Sequence, residues 1–350
     1  MNLDTENEFS SIDQEDIRET LENIPDHINQ AQTHVAESDI PRLYDVDHIL
    51  INGMDEGHLA GELLCWYLRE KMQIPIMVNS GETLPKWVDK HTLVLSLNYS
   101  GECLRTLSIF KEAYQKHCKL IGICSDGRLK KYCMHRHLPI VDLPHGYHSR
   151  FTILLLFFSS LFSLLRTGLL QSDLKQDIKE CEGVLSNLSK SLNPKVDTKK
   201  NDAKKIAIKL KDSIPLVYGW NLFSPVAKHW VKQFNQNSKL ISYVQLVPDS
   251  TDHGIVGLAN QKVAKNFLSI LFRDHHLETK EMKCHLNFLK SLTSEVTNQS
   301  IIIAPEGKSK LAKMISLLYL GDMISVYTAI YNDVNPAPTP ILNQLHQKPL

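Results

Sequence analysis

Residues 92–107, TLVLSLNYSGECLRTL, run an apolar strand into Asn98-Tyr99-Ser100-Gly101 and then straight into a helical pattern. A strand handed to a helix through so short a turn is a βα unit, and chains made of such units build parallel sheets covered by helices. The turn also points free backbone N–H groups and hydroxyls at one spot, where the helix dipole adds partial positive charge. Such a spot suits a phosphate, so a sugar phosphate or other small phosphoester is the leading ligand class.

The same alternation recurs along the chain. Strands are expected at 48–53, 74–79, 92–97, 119–124 and 138–143, with helical patterns near 57–71, 102–117 and 128–135. Residues 151–165 are fifteen uncharged residues between Arg150 and Arg166. A bilayer-spanning helix needs roughly 20, and this run contains three serines, so it reads as a core helix on a sheet. The polar stretch 186–202 carries Pro194 and a charge run and is the linker candidate. Beyond it strands follow at 214–219, 240–247, 268–273 and 300–304, with helices at 223–235, 278–292 and 308–331. The expected organisation is an N-terminal helical segment (1–43), a first α/β domain (44–185), the linker, a second α/β domain (203–334) and a tail (335–350). The N-terminal segment is expected to lie over the first domain or to serve an oligomer contact. The two α/β units suggest an architectural pseudo-repeat.

Composition removes several classes of function. Lys plus Arg equals Asp plus Glu at 39 each, and no basic stripe is visible, which argues against a nucleic-acid binder. The acidic, polar opening lacks the pattern of a signal peptide, and no membrane partner is expected. Seven cysteines without a CxxC pair read as free thiols in a reducing cytoplasm. The histidines at 135/137 and 275/276 read as surface residues, so neither a metal nor a cofactor is expected.

Several segments, in order, resemble the sugar isomerase (SIS) fold, and more narrowly the two-domain bifunctional phosphoglucose/phosphomannose isomerase family. LAKMISLLYLGDMISVYTAIYNDVNPAP resembles that family's last long helix and the proline-rich turn after it. NDAKKIAIKLKDSIPLVYGW and SPVAKHWVKQFNQNSK resemble the opening of its second domain, and GIVGL its Glu-Ile-Val-Gly segment. GMDEGHLAGELL, NYSGECLRTL, and Gly146 with Arg150 fall in the family's order in the first half. The resemblance implies two three-layer αβα domains and aldose–ketose isomerisation of glucose 6-phosphate or mannose 6-phosphate with fructose 6-phosphate. It also implies a homodimer with shared active sites.

The resemblance carries over residue by residue. Arg150 stands where the family's arginine steadies the enediolate. Gln236 stands at the position of the general-base glutamate. Asp252 falls at the histidine position with His253 one residue later, which leaves His253 for ring opening and Asp252 or Asp249 as a substitute base. His346 falls where the C-terminal lysine belongs, with Lys348 two residues on. Gly53, Gly57, Asn98, Tyr99, Ser100, Gly101, Cys103 and Thr106 are the expected substrate-binding positions. Asn98 and Cys103 replace a serine and a threonine there, and Asp55-Glu56-Gly57 replaces Gly-Gly-Ser. An isomerase of hexose 6-phosphates with diverged chemistry is the first reading. A catalytically inactive SIS-fold sensor or scaffold is the alternative.

Overall fold

The structure, a computed structural model, describes residues 2–346. The chain forms two compact units, one of residues 23–182 and one combining the chain's start through Glu22 with Gly183 onward. Two short helices, α1 (Glu6–Ile12) and α2 (Ile17–Asn23), open the chain.

The first unit begins with α3 (His27–Glu37) and then alternates: β1 (His48–Gly53), α4 (Glu56–Leu68), β2 (Ile76–Asn79), β3 (Thr92–Leu97), α5 (Leu104–Gln115), β4 (Lys119–Cys124), α6 (Gly127–Arg136), β5 (Ile140–Asp142) and α7 (Ile153–Thr167). Its five strands are parallel in the order β2-β1-β3-β4-β5. The central strands β1 and β3 are buried almost throughout, as their continuous apolar runs require. Helix α7 is apolar all round because it is buried all round, packed on α3 and α4. Two of its three serines are satisfied within the helix: Ser160 Oγ donates to Leu156 O at 2.8 Å and Ser163 Oγ to Ser159 O at 2.6 Å, whereas Ser159 Oγ is buried with no partner among the described residues. The membrane-like run is therefore a core helix.

Helix α8 (Lys175–Ser191) crosses the division between the units, which falls at Gly183, and a loop over 192–201 follows it. The second unit continues with α9 (Asp202–Lys209), β6 (Ile214–Trp220), α10 (Ser224–Gln236) and β7 (Tyr243–Val247). Three one-turn helices follow, α11 (Asp249–Asp252), α12 (Gly254–Gly257) and α13 (Gln261–Ala264). Then come β8 (Phe267–Phe272), α14 (Lys280–Val296), β9 (Gln299–Ile303), α15 (Lys310–Tyr331) and α16 (Pro340–His346). The sheet order β7-β6-β8-β9 repeats that of β2-β1-β3-β4. Helix α15 is long and apolar enough to cross a bilayer, but it is the buried central helix of its unit.

The N-terminal segment 1–43 divides: α3 packs on α7 within the first unit, whereas residues up to Glu22 group with the second unit. Their apolar positions and backbone find partners on α15 and α9. Phe9 meets Tyr327 edge-on at 6.1 Å, and the Tyr319 hydroxyl donates to Leu21 O. The fully buried Lys204 ammonium pairs with Asp4 at 2.9 Å and donates to Pro194 O at 2.8 Å. A buried ammonium left without such partners would be costly, so this pair fixes where the chain start must go.

Candidate functional site

The carboxyl ends of β1 and β3 lie side by side, with Gly53 opposite Leu97. One residue earlier, Asn52 is buried and its Nδ2 donates to Ser96 Oγ at 2.8 Å and to Thr106 O at 2.9 Å. This one amide sews the first turn of α5 to both strand ends. The turn before α4 is equally tight. A Cβ on Gly57 would lie 2.3 Å from Leu97 O, and one on Gly53 would lie 2.9 Å from the same oxygen. Only glycine lets α4 approach β3 this closely. Gly53 and Gly57 thus bring Asp55 and Glu56 beside the end of β3, Asp55 with φ +50 and ψ −114.

Loop 98–103 folds on itself. Asn98 Oδ1 accepts from Cys103 N at 3.2 Å and from Ser100 Oγ at 3.4 Å, and Gly101 N donates to Asn98 O at 2.9 Å. From behind, the turn after β4 holds it. Ser125 donates to Tyr99 O through both N and Oγ, and Leu129 N donates to Gly101 O at 3.0 Å. Gly101 adopts φ +67 and a Cβ there would sit 1.7 Å from Asp126 O. Gly127 adopts φ +82 and a Cβ would sit 2.4 Å from Ser100 O. The Ser125-Asp126-Gly127 turn, which has little ligand character in the sequence, is therefore the buttress of the loop.

Helix α5 begins at Leu104, so the N–H groups of its first turn have no intrahelical acceptor and carry the positive end of the dipole. Among them stands Thr106, 1% exposed, whose Oγ1 has no hydrogen-bond partner among the described residues. Ser100 is exposed at the loop tip, and Cys103 is half-buried. Glu102, also exposed, pairs with Arg128 at 3.1 Å, which offsets its charge near the loop.

Tyr99 has a bracing role in the fold. Its hydroxyl donates to Pro144 O at 2.9 Å and accepts from Tyr147 N at 3.0 Å, and burial pushes its pKa up. It ties loop 143–148 to the end of β3. Tyr147 in turn exchanges hydrogen bonds with the Gln30 amide on α3 and stacks edge-on against His27 at 4.7 Å. Arg150 follows in the 3₁₀ turn Ser149–Phe151, half-buried, its guanidinium 5.8 Å from the Phe151 ring centre. The chain that carries Arg150 is thus anchored to the same loop through Tyr99.

The remaining sequence-selected residues belong to the second unit. Gln236 is the last residue of α10 and is half-buried. Asp252 ends α11, and His253 links it to α12; both are exposed. His346 ends α16, but its side chain, like Lys348, lies outside the described residues. Among the described residues no three His, Cys, Asp or Glu side chains converge as they would around a metal ion.

A buried polar network beneath Gln236 was not identified from the sequence. Asp322 Oδ1 lies 2.7 Å from His229 Nε2 and accepts from Gln233 Nε2 at 2.7 Å. Asn237 Nδ2 donates to Gln233 Oε1 at 3.0 Å and to Ser325 Oγ at 2.8 Å. All five residues are at most 1% exposed. The signal was present as a polar stripe at four-residue spacing (229, 233, 237) on a helix face otherwise buried.

A family model described as "Bacterial phospho-glucose isomerase C-terminal SIS domain" matches residues 199–348. The bifunctional phosphoglucose/phosphomannose isomerase of Caldicellulosiruptor bescii is 30% identical over 332 residues, spanning 94% of this chain and 98% of that protein. This chain belongs to the bifunctional phosphoglucose/phosphomannose isomerase family. The Aquifex aeolicus member is 27% identical over 86% of this chain and 89% of its own length. Among solved structures, a glucose-6-phosphate isomerase like protein from Thermus thermophilus superposes with a TM-score of 0.62 at 17% identity, over 98% of this chain and 99% of that one. The two parallel, helix-covered sheets are those of the SIS fold, and a hexose-phosphate isomerase family is where this chain sits.

Proposed function

We propose that this chain takes a hexose 6-phosphate at loop 98–106 and interconverts glucose 6-phosphate or mannose 6-phosphate with fructose 6-phosphate slowly. The observation that carries the reading is the first turn of α5, where unused amides surround a buried hydroxyl that has no partner among the described residues. Phosphate oxygens complete both. The isomerase names of the Caldicellulosiruptor and Aquifex relatives support the sugar class. Ser100, Gly101, Asn98 and Cys103 shape the cradle, Tyr99 braces it, and Gly53 and Gly57 set the neighbouring turn. Arg150 is assigned to the enediolate oxygen, His253 to ring opening with Asp252 beside it, and His346 to proton delivery. A homodimer in the cytoplasm fits this assignment.

The slowness is argued from Gln236. Moving a proton between C1 and C2 needs a base, a neutral amide cannot serve, and loss of a positioned general base costs about 10²–10⁴ in rate. The same amide, with two acidic residues, Asp55 and Glu56, in the turn where the family has Gly-Gly-Ser, favours a second reading in which the chain senses a phosphosugar without turning it over. A coupled assay of glucose 6-phosphate formation from fructose 6-phosphate separates the two. The expected result is low turnover in the natural chain, a gain of about 10² in Gln236→Glu, and loss of turnover in Arg150→Ala. Ordinary turnover, about 10 per second for a typical enzyme, would refute the role given to Gln236. No thermal shift with fructose 6-phosphate or a 6-phosphoaldonate would refute the cradle.

A further inference from the structure

Beyond the residues assigned to the reaction, the chain turns after α10 at a lysine that carries unusual bonding. Lys239 adopts φ +51, the left-handed region in which glycine is the strain-free residue and a Cβ crowds the backbone. Its ammonium gives a reason for a side chain there. Nζ donates to Gln236 O at 2.9 Å and to Asn237 O at 3.3 Å, carbonyls that the end of α10 leaves without intrahelical donors. It also donates to Asn335 O and Pro336 O, each at 2.9 Å, in the turn past α15 from which α16 departs. An ammonium has three protons, so the longest of these four is a shared bond. Converging carbonyls suit a point cation on a flexible stem better than a planar guanidinium fork.

The end of α10 is itself fixed from beneath. Ser238 Oγ donates to Ser325 O at 2.6 Å, and Asn237 Nδ2 reaches Ser325 Oγ at 2.8 Å. Position is therefore passed from the core of α15 to the end of α10, and through Lys239 to residues 335–336. Ala337 N, bonded to Asn335 Oδ1 at 3.0 Å, tightens the turn that receives it.

We propose that Lys239 is a positioning residue that clamps the root of the C-terminal segment to the end of α10, setting where Gln236 and α16 stand. The kinetic part of this rests on the reading of Gln236 and the C-terminal segment as parts of the site. Acting through backbone carbonyls, Lys239 tunes binding and turnover without being a catalytic residue.

The decisive variants are Lys239→Gly and Lys239→Met in the full chain. Glycine removes the ammonium and relieves the left-handed strain, so a merely conformational role predicts unchanged folding and an unchanged tail. The clamp predicts that amide exchange over 335–346 rises roughly tenfold in both variants, while the melting temperature of Lys239→Gly stays close to that of the natural chain. It further predicts that KM for fructose 6-phosphate rises and kcat falls, by roughly tenfold in kcat/KM, with Lys239→Arg between the two extremes. Unchanged exchange in Lys239→Gly would overturn the clamp. Raised exchange with unaltered kcat and KM would overturn its bearing on the site. A natural chain with neither turnover nor a fructose 6-phosphate thermal shift would defeat the isomerase reading and the kinetic part with it, while the exchange contrast would still decide the clamp.

Discussion

Thr106 separates two uses of a buried hydroxyl. With no partner for Oγ1 among the described residues, it carries a desolvation cost of about 1–3 kcal/mol. A residue doing only structural work there would gain by losing the oxygen. Thr106→Val should therefore leave the melting temperature unchanged or raise it, while weakening fructose 6-phosphate binding about tenfold, the loss of one charge-assisted hydrogen bond. Calorimetric titration alongside a melting curve checks both, and a clear fall in stability would end the ligand assignment. Thr106 was readable from its place in the first turn of a helix after a strand. The work of Tyr99 was not, because its partners Pro144 and Tyr147 lie more than forty residues away and no local pattern encodes them.

At the scale of elements, every strand anticipated from apolar runs is present, His48–Gly53, Thr92–Leu97 and Lys119–Cys124 with the same bounds. Buried parallel strands announce themselves as near-continuous apolar runs, interrupted here only by a few buried polar residues such as Asn52 and Ser96, which bond each other. The three one-turn helices over 249–264 were missed, since four residues hold too little periodicity to register. The seam between α10 and α15 was missed for a different reason: its polar residues read as surface until a second helix supplies their partners. Asp322→Ala tests that seam. Removing the carboxylate leaves His229 and Gln233 buried without it, so stability of the second unit should fall by about 3 kcal/mol in a denaturant titration. A loss below about 0.5 kcal/mol, the range of ordinary surface substitutions, would show that the seam is not held by this network.

For the molecule as a whole, the two units lose stability on acidification in different pH windows. In the first, His27 is fully buried with neither ring nitrogen bonded among the described residues, and burial lowers its pKa to about 3. The unfolded chain takes up a proton near pH 6.5 and the folded unit refuses it until about 3. Stability is therefore full above pH 6.5 and is lost as pH falls from there toward 3, with a limiting slope of about 1.4 kcal/mol per unit. In the second unit, burial alone would raise the Asp274 and Glu278 carboxyls. Lys313 and backbone N–H groups outweigh it at Asp274, and Arg273 does so at Glu278, so both titrate below their ordinary values of 3.8 and 4.5. Their contribution is present above those ordinary values and lost only as pH falls through the lowered ones. Acidification should thus loosen the first unit at a higher pH than the second, seen as earlier gain of amide exchange in residues 23–182 than in 203–334. His27→Phe keeps the edge-on packing against Tyr147 and removes the titration, so it should flatten the first unit's stability between pH 6.5 and 4 and leave the second unit's acid limb in place. An unaltered slope in that variant would mean that the acid response of the first unit has another source.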